Sequence, residues 1–244
     1  MITRHVLTLQ AKTEHPLHAD AAYRLYAFLL EQLPPEEAQW LHDTASQLVS
    51  QFLCFRRETQ TYAWTVNLLS EEAAAVLDPV LSTWQAVQIE NEIFPVLERS
   101  SETVTLDQLL EQGRGPVANR CRISFLTPAA FKQNGRYTFF PQERLILQSL
   151  MMRWNAAFPM CPLEDEDAFH ALLAGIRMTD YRLRSTRFSM KGVWIPGFVG
   201  TCDLESRLAV PLQELWNTLM AFAGYAGIGI KTGLGMGGTE VTMK

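Results

Sequence analysis

The chain has 244 residues, of which 48% are hydrophobic and 19% charged, with a formal net charge of −5. That composition excludes a disordered polar chain, and no apolar run reaches the roughly 18 residues that a membrane span requires. Cys54, Cys121, Cys161 and Cys202 stand far apart with no Cys-x-x-Cys pair, and Met1–His5 lacks signal-peptide order; a soluble cytoplasmic protein without a zinc ribbon or disulfide scaffold is expected.

In chain order, Ile2–Gln10 alternates in part and reads as a strand, and Thr13–Ala19 as a loop. Asp20 is the expected cap of a helix whose apolar residues, Ala22, Leu25, Tyr26, Leu29 and Leu33, follow helical spacing. Pro34-Pro35 stops it and starts a second helix, Glu36 to about Leu48, burying Trp40, Leu41, Ala45 and Leu48. Ser50–Arg57 and Thr61–Leu68 read as strands, Ser70 caps a helix over 71–77, and Thr83–Ile89 is a returning strand. The order β-α-β-β-α-β is the ferredoxin-like pattern. Residues 91–116 are a connection holding the short helix Leu106–Gln112, and Gly113–Pro116 marks a boundary.

Beyond it come a strand, Arg120–Phe125, and a hairpin about Asn134-Gly135 leading into Arg136–Phe140. Helices over 143–155 and 164–173, strands over 178–187 and 193–203, a helix over 210–222 and a last strand, Glu240–Met243, complete the reading. A second α+β unit is expected, a diverged copy in architecture but not in residues. Charge divides the same way. Residues 1–116 carry 7 basic and 16 acidic side chains, and residues 117–244 carry 14 and 10. Arg177, Arg182, Arg184, Arg187 and Lys191 face one acid, Asp180, within 177–191, so an acidic protein with a basic C-terminal surface is one reading and scattered solvated charge the other. Arg182 and Arg184 lie two apart on a strand and share a face, as do Arg120 and Arg122.

Half of the fourteen glycines lie between Gly224 and Gly238. A P-loop fails because Ile230 precedes Lys231, and a dinucleotide fingerprint on Gly233, Gly235 and Gly238 fails because no helix follows. What remains is a loop where glycines permit positive φ and close approach of N–H groups to an anion, with Lys231 and Thr232 adding a charge and a hydroxyl. A series of tight packing turns is the competing reading.

The segment Gly227-Ile-Gly229-Ile-Lys231-Thr232-Gly233-Leu-Gly235-Met-Gly237 resembles the signature loop of the CRISPR-associated repeat-processing endoribonucleases, the sixth Cas family of the RAMP superfamily. Three upstream blocks share the likeness: Phe125-Leu-Thr-Pro128-Ala-Ala-Phe131 with Gly135-Arg136-Tyr137, Leu147-Gln-Ser-Leu150 with Arg153-Trp154-Asn155, and Gly197-Phe198-Val199-Gly200. The resemblance covers about 117–240 by residues and the rest by pattern.

It implies an α+β protein of two tandem ferredoxin-like (RRM-like) domains with antiparallel sheets, 1–112 and 117–244. It also implies cleavage of precursor crRNA within the repeat by 2′-OH attack, leaving a 2′,3′-cyclic phosphate, with no metal and no cofactor. Gly227, Gly229, Lys231, Thr232, Gly233 and Gly235, with Arg182 and Arg184, are the RNA-binding residues expected. CRISPR repeat RNA and crRNA are the expected partners, other Cas effector subunits and a second copy of the chain are further candidates, and no membrane is involved. A catalytically inactive RAMP subunit that retains crRNA is the alternative, and a structural subunit without RNA affinity a third.

The resemblance makes His42, in Trp40-Leu41-His42-Asp43, the candidate acid or base. The tyrosine and lysine that accompany this histidine in related members have no local match: position 48 is leucine, and no lysine occurs between Lys12 and Lys132. Tyr23 and Tyr26 could supply a hydroxyl or serve the core, His15 and His18 are rival catalysts, and His5 and His170 have no assigned role.

Overall fold

The computed structural model describes residues 1–11, 16–43, 47–115 and 118–244. The N-terminal half runs β1 (Ile2–Gln10), α1 (Ala21–Glu31), α2 (Pro35–Asp43), β2 (Val49–Arg56), β3 (Thr61–Leu68), α3 (Glu71–Thr83), β4 (Ala86–Ile89) and β5 (Glu92–Val104). Its antiparallel sheet has the order β2-β3-β1-β5-β4. The C-terminal half runs α4 (Leu106–Gly113), β6 (Arg120–Ala129), β7 (Phe131–Gln133), β8 (Arg136–Thr138), α5 (Glu143–Ala157), α6 (Glu166–Gly175), β9 (Ile176–Met190), β10 (Val193–Ser206), α7 (Val210–Ala226) and β11 (Thr239–Met243). Its main sheet is β11-β6-β10-β9, again antiparallel, and β7-β8 is a separate hairpin. With β4 set aside, each sheet places its last strand beside its first, then its third and second. That is the ferredoxin-like order, so the α+β expectation of two such domains holds.

Several local expectations change. The last strand of the first unit is β5, thirteen residues in what reads as a connection; the predicted returning strand shrinks to β4, which pairs only with β5 at the sheet edge. Helix α3 continues through Pro79 to Thr83, while Ser70 caps it as expected, accepting from the Ala73 N–H at 3.1 Å. Asp20 makes no side-chain cap on α1. Helix α2 is described only to Asp43; Ala45, predicted as part of its apolar face, lies outside the described residues. Helix α4 packs along α7 so closely that a Cβ on Gly113 would stand 1.9 Å from Thr218 Oγ1.

Strand β3 shows how the halves join. All eight of its residues are buried. Tyr62, Trp64, Val66 and Leu68 belong to the core beneath α1 and α3, and the alternate residues face the other way, as a period of two requires. On that second face Arg4 donates from Nε to Asn67 Oδ1 at 2.8 Å and from a terminal nitrogen to the Gly224 carbonyl, with its guanidinium 4.2 Å from the Tyr225 ring centre. The Ser50 hydroxyl donates to the Tyr225 carbonyl. A polar seam thus fixes α7 of the C-terminal half against the helix-free face of the first sheet.

Candidate active site

The glycine-rich segment leaves the end of α7 and folds back on itself. Ile228 N–H donates to the Gly237 carbonyl at 2.9 Å. The upstream blocks converge on it. Pro128 and Ala130 accept through their carbonyls from the N–H groups of Gly237 and Ile230, both at 2.9 Å. The hydroxyls of Thr127 and Ser149 accept from Gly238 N–H at 2.9 Å and Gly229 N–H at 2.8 Å. Gly197 completes the set, since a Cβ there would meet the Ala129 carbonyl at 2.9 Å.

Positive φ occurs at Gly227, Gly229, Gly235 and Gly237 but not at Gly233. Gly233 therefore does not use the left-handed freedom that glycine permits. It lies in a three-residue 3-10 turn, Thr232–Leu234, that follows a left-handed Lys231 with φ 57° and ψ 33°. Most of the segment is buried, so the packing reading holds for much of it: Gly238 sits against Phe52, and Gly235 between Ala22 and Phe188. One stretch differs. The N–H groups of Lys231, Thr232 and Gly233 have no acceptor among the described residues, because a turn leaves its first donors unused. A left-handed residue followed by right-handed ones aims such N–H groups into one concavity.

That stretch walls a cleft of about 370 Å³ whose other sides come from Tyr26 on α1, Leu41 and His42 on α2, Gln47, and Met152 and Arg153 on α5. The turn is held against β2 through Gln51, whose Nε2 donates to the carbonyls of Ala22 at 3.0 Å and Gly233 at 3.3 Å. Trp64 Nε1 donates to Gln51 Oε1 at 2.8 Å and locks the amide.

The cleft unites His42 with Gly229, Lys231, Thr232 and Gly233. His42 is exposed, and its Nδ1 lies 2.8 Å from Asp43 Oδ1. That contact and a hydrogen bond from Gln39 hold the Asp43 carboxyl below its usual range. With Nδ1–H donated to the carboxylate, Nε2 is the nitrogen left for a ligand. Tyr26 is the tyrosine that the cleft contains, and burial pushes its phenol up to about 12, so it stays a neutral hydroxyl. Tyr23 instead packs beside Phe188 and Ile195. His18 is exposed and does not line the cleft; His15 lies outside the described residues. His5 is fully buried, with Nε2 2.9 Å from Asp78.

Gly227 and Gly235 stay in the loop's interior and outside the cleft lining. Arg182 and Arg184 stand opposite Thr201 and Val199 on exposed positions of β9. The register puts them on one face of the sheet with Phe188, the ring that touches the glycine segment. Neither makes an ion pair among the described residues. Arg120 and Arg122 differ, because acids on β10 engage them. Arg122 binds Asp203 with two contacts of 2.6 and 2.7 Å, and Arg120 joins Arg177 and Arg207 around Glu205. Strand register, invisible in the spacing of the arginines alone, separates the two pairs. The described residues contain no group of three potential metal-ligating side chains, and no described helix is long and apolar enough to cross a membrane.

Three comparisons bear on this arrangement. A family described as CRISPR-associated endoribonuclease Cas6 matches residues 123–239. A "CRISPR-associated endoribonuclease Cas6" of Streptococcus thermophilus is 30% identical over 237 residues, covering 94% of this chain and of that protein; one from Mycobacterium tuberculosis is 29% identical over 98% of this chain and 79% of its own. A solved product complex of a Thermus thermophilus Cas6 superposes with a TM-score of 0.81 at 25% identity, covering 99% of both chains.

Proposed function

As this chain belongs to the Cas6 family of CRISPR-associated endoribonucleases, we propose that it binds CRISPR repeat RNA in the cleft between His42 and the Lys231–Gly233 turn and cleaves it there by metal-independent attack of a ribose 2′-OH. The observation that carries this reading is that one cleft joins an exposed histidine from the N-terminal half to three unused N–H donors from the C-terminal half. Attack requires a base to take the 2′-OH proton, donors for the charge gathering on the phosphorus oxygens, and an acid to protonate the departing 5′-oxygen. His42 supplies proton transfer through Nε2. Lys231 and the turn N–H groups supply the donors, and the Tyr26 hydroxyl is a further one. The new bond joins the 2′-oxygen to phosphorus, the bond from phosphorus to the 5′-oxygen breaks, and the products are a 2′,3′-cyclic phosphate and a 5′-hydroxyl.

Arg182 and Arg184 are the proposed backbone contacts on the approach to the cleft, since they are exposed, free of acidic partners among the described residues, and on the face that meets the glycine segment. Gly227, Gly229 and Gly235 contribute by shaping the loop.

The test is cleavage of end-labelled repeat RNA in excess EDTA. Undiminished cutting with a cyclic phosphate on the 5′ fragment is expected. Cutting that chelator abolishes, or that leaves a 3′-hydroxyl, contradicts the mechanism; tight binding with no cutting identifies the inactive, crRNA-retaining relative instead.

A further inference from the structure

Arg153 occupies an unusual position for an arginine. It is 4% exposed, on the inner face of α5, and borders the cleft. One terminal nitrogen donates to the Val49 carbonyl at 3.0 Å, while Nε is buried with no acceptor among the described residues. Among the described residues no carboxylate pairs with it, and desolvation by burial acts on the group, lowering it to about 9. A guanidinium withdrawn from water in this way is costly unless an anion joins it. Thr232, 1% exposed in the turn across the cleft, also buries a hydroxyl with no partner among the described residues. With the N–H groups of Lys231, Thr232 and Gly233, residues that line the cleft thus carry five donor groups with no acceptor among the described residues. An oxyanion meets that requirement, and a purely apolar ligand leaves it unmet.

We propose that Arg153 and Thr232 form the seat for a non-bridging oxygen of the scissile phosphate, with Arg153 as the internal cation that stabilises the five-coordinate state. The proposal rests on the nuclease reading and adds a residue to it. Charge on the phosphorus oxygens grows as the 2′-oxygen attacks, so a donor set already free of other acceptors gains most at that moment. The bond to Val49, at the start of β2, also holds the guanidinium in place while Nε stays without an acceptor among the described residues.

The experiment compares the parent with Arg153→Gln, Arg153→Lys and Thr232→Val in single-turnover cleavage of repeat RNA. Binding is read on the same RNA carrying a 2′-deoxy at the cut site, and substrates with either phosphorothioate diastereomer at the scissile phosphate probe the oxygen contact. Arg153→Gln is expected to slow cleavage by about 10²–10³-fold, as loss of one oxyanion donor does, with a far smaller change in binding. The parent's preference between diastereomers should shrink in Arg153→Gln and change in Arg153→Lys. Parent-like rate and diastereomer preference in Arg153→Gln overturn the seat, leaving the nuclease reading intact. If that variant melts out, an unchanged preference in Arg153→Lys overturns it equally. A parent protein that does not cut the RNA removes the nuclease reading itself, and the seat with it.

Discussion

Gly135 and Gly229 share a positive φ, 78° and 102°, but not their surroundings. A Cβ on Gly135, at the β7-β8 hairpin tip, meets nothing, whereas one on Gly229 lies 2.4 Å from the Ala130 carbonyl. Gly135→Ala should cost only the left-handed penalty of about 1–2 kcal/mol. Gly229→Ala must also displace backbone that carries the loop, so several times that loss is expected, together with loss of RNA cleavage. Urea denaturation compares the two; equal losses contradict the packing described here. The sequence displays the wealth of glycine plainly, but not which glycines are left-handed. That is decided by strand β6 and helix α5, some 80–100 residues upstream, so the sequence alone does not show that Gly233 stays out of the left-handed region. Arg153 stands in a block that the family resemblance singles out, yet its burial without a counter-ion depends on packing between halves.

At the scale of elements, β1 and α3 meet at His5, whose Nε2 lies 2.9 Å from Asp78. Desolvation outweighs the attraction of Asp78, with Arg99 adding to it, and His5 is pushed below its ordinary 6.5. The folded state therefore resists a proton that the unfolded chain accepts, so stability is lost as pH falls below about 6.5 and the loss levels off once the folded group titrates. Unfolding free energies from urea titrations at pH 7, 6 and 5 should fall less steeply for His5→Asn than for the parent. Identical slopes contradict a buried neutral histidine.

Element by element, long apolar periodicity is what makes a segment legible: β1, α1, β3 and α7 read clearly because each buries a stripe or a face. Strand β5 is obscure because its stretch from Glu98 to Thr103 is exposed. Pairing with β1, not an alternating apolar face, makes those residues a strand. Helix α3 outruns its expected end at residue 77 for a related reason, passing through Pro79 to Thr83 while packed against the first sheet.

Over the whole molecule, the two sheets repeat one strand order with little sequence in common, and the cleft exists only because the halves join. Its N-terminal wall comes from α1 and α2, its floor from α5, and its far wall from the turn after α7. Motif blocks announce the loop and the family, and the resemblance points to His42, but the distance in sequence between His42 and Lys231 hides that they share a space. The seam of Arg4, Ser50 and Asn67 joins the halves, and Gln51 on the other face of the sheet holds the turn beside α1. The most direct measurement is single-turnover cleavage of labelled repeat RNA by His42→Ala beside the parent, with binding followed on the 2′-deoxy RNA. The account predicts a rate lower by about 10²–10⁴-fold, the usual cost of one acid–base group, with binding retained; parent-like cleavage by His42→Ala contradicts it.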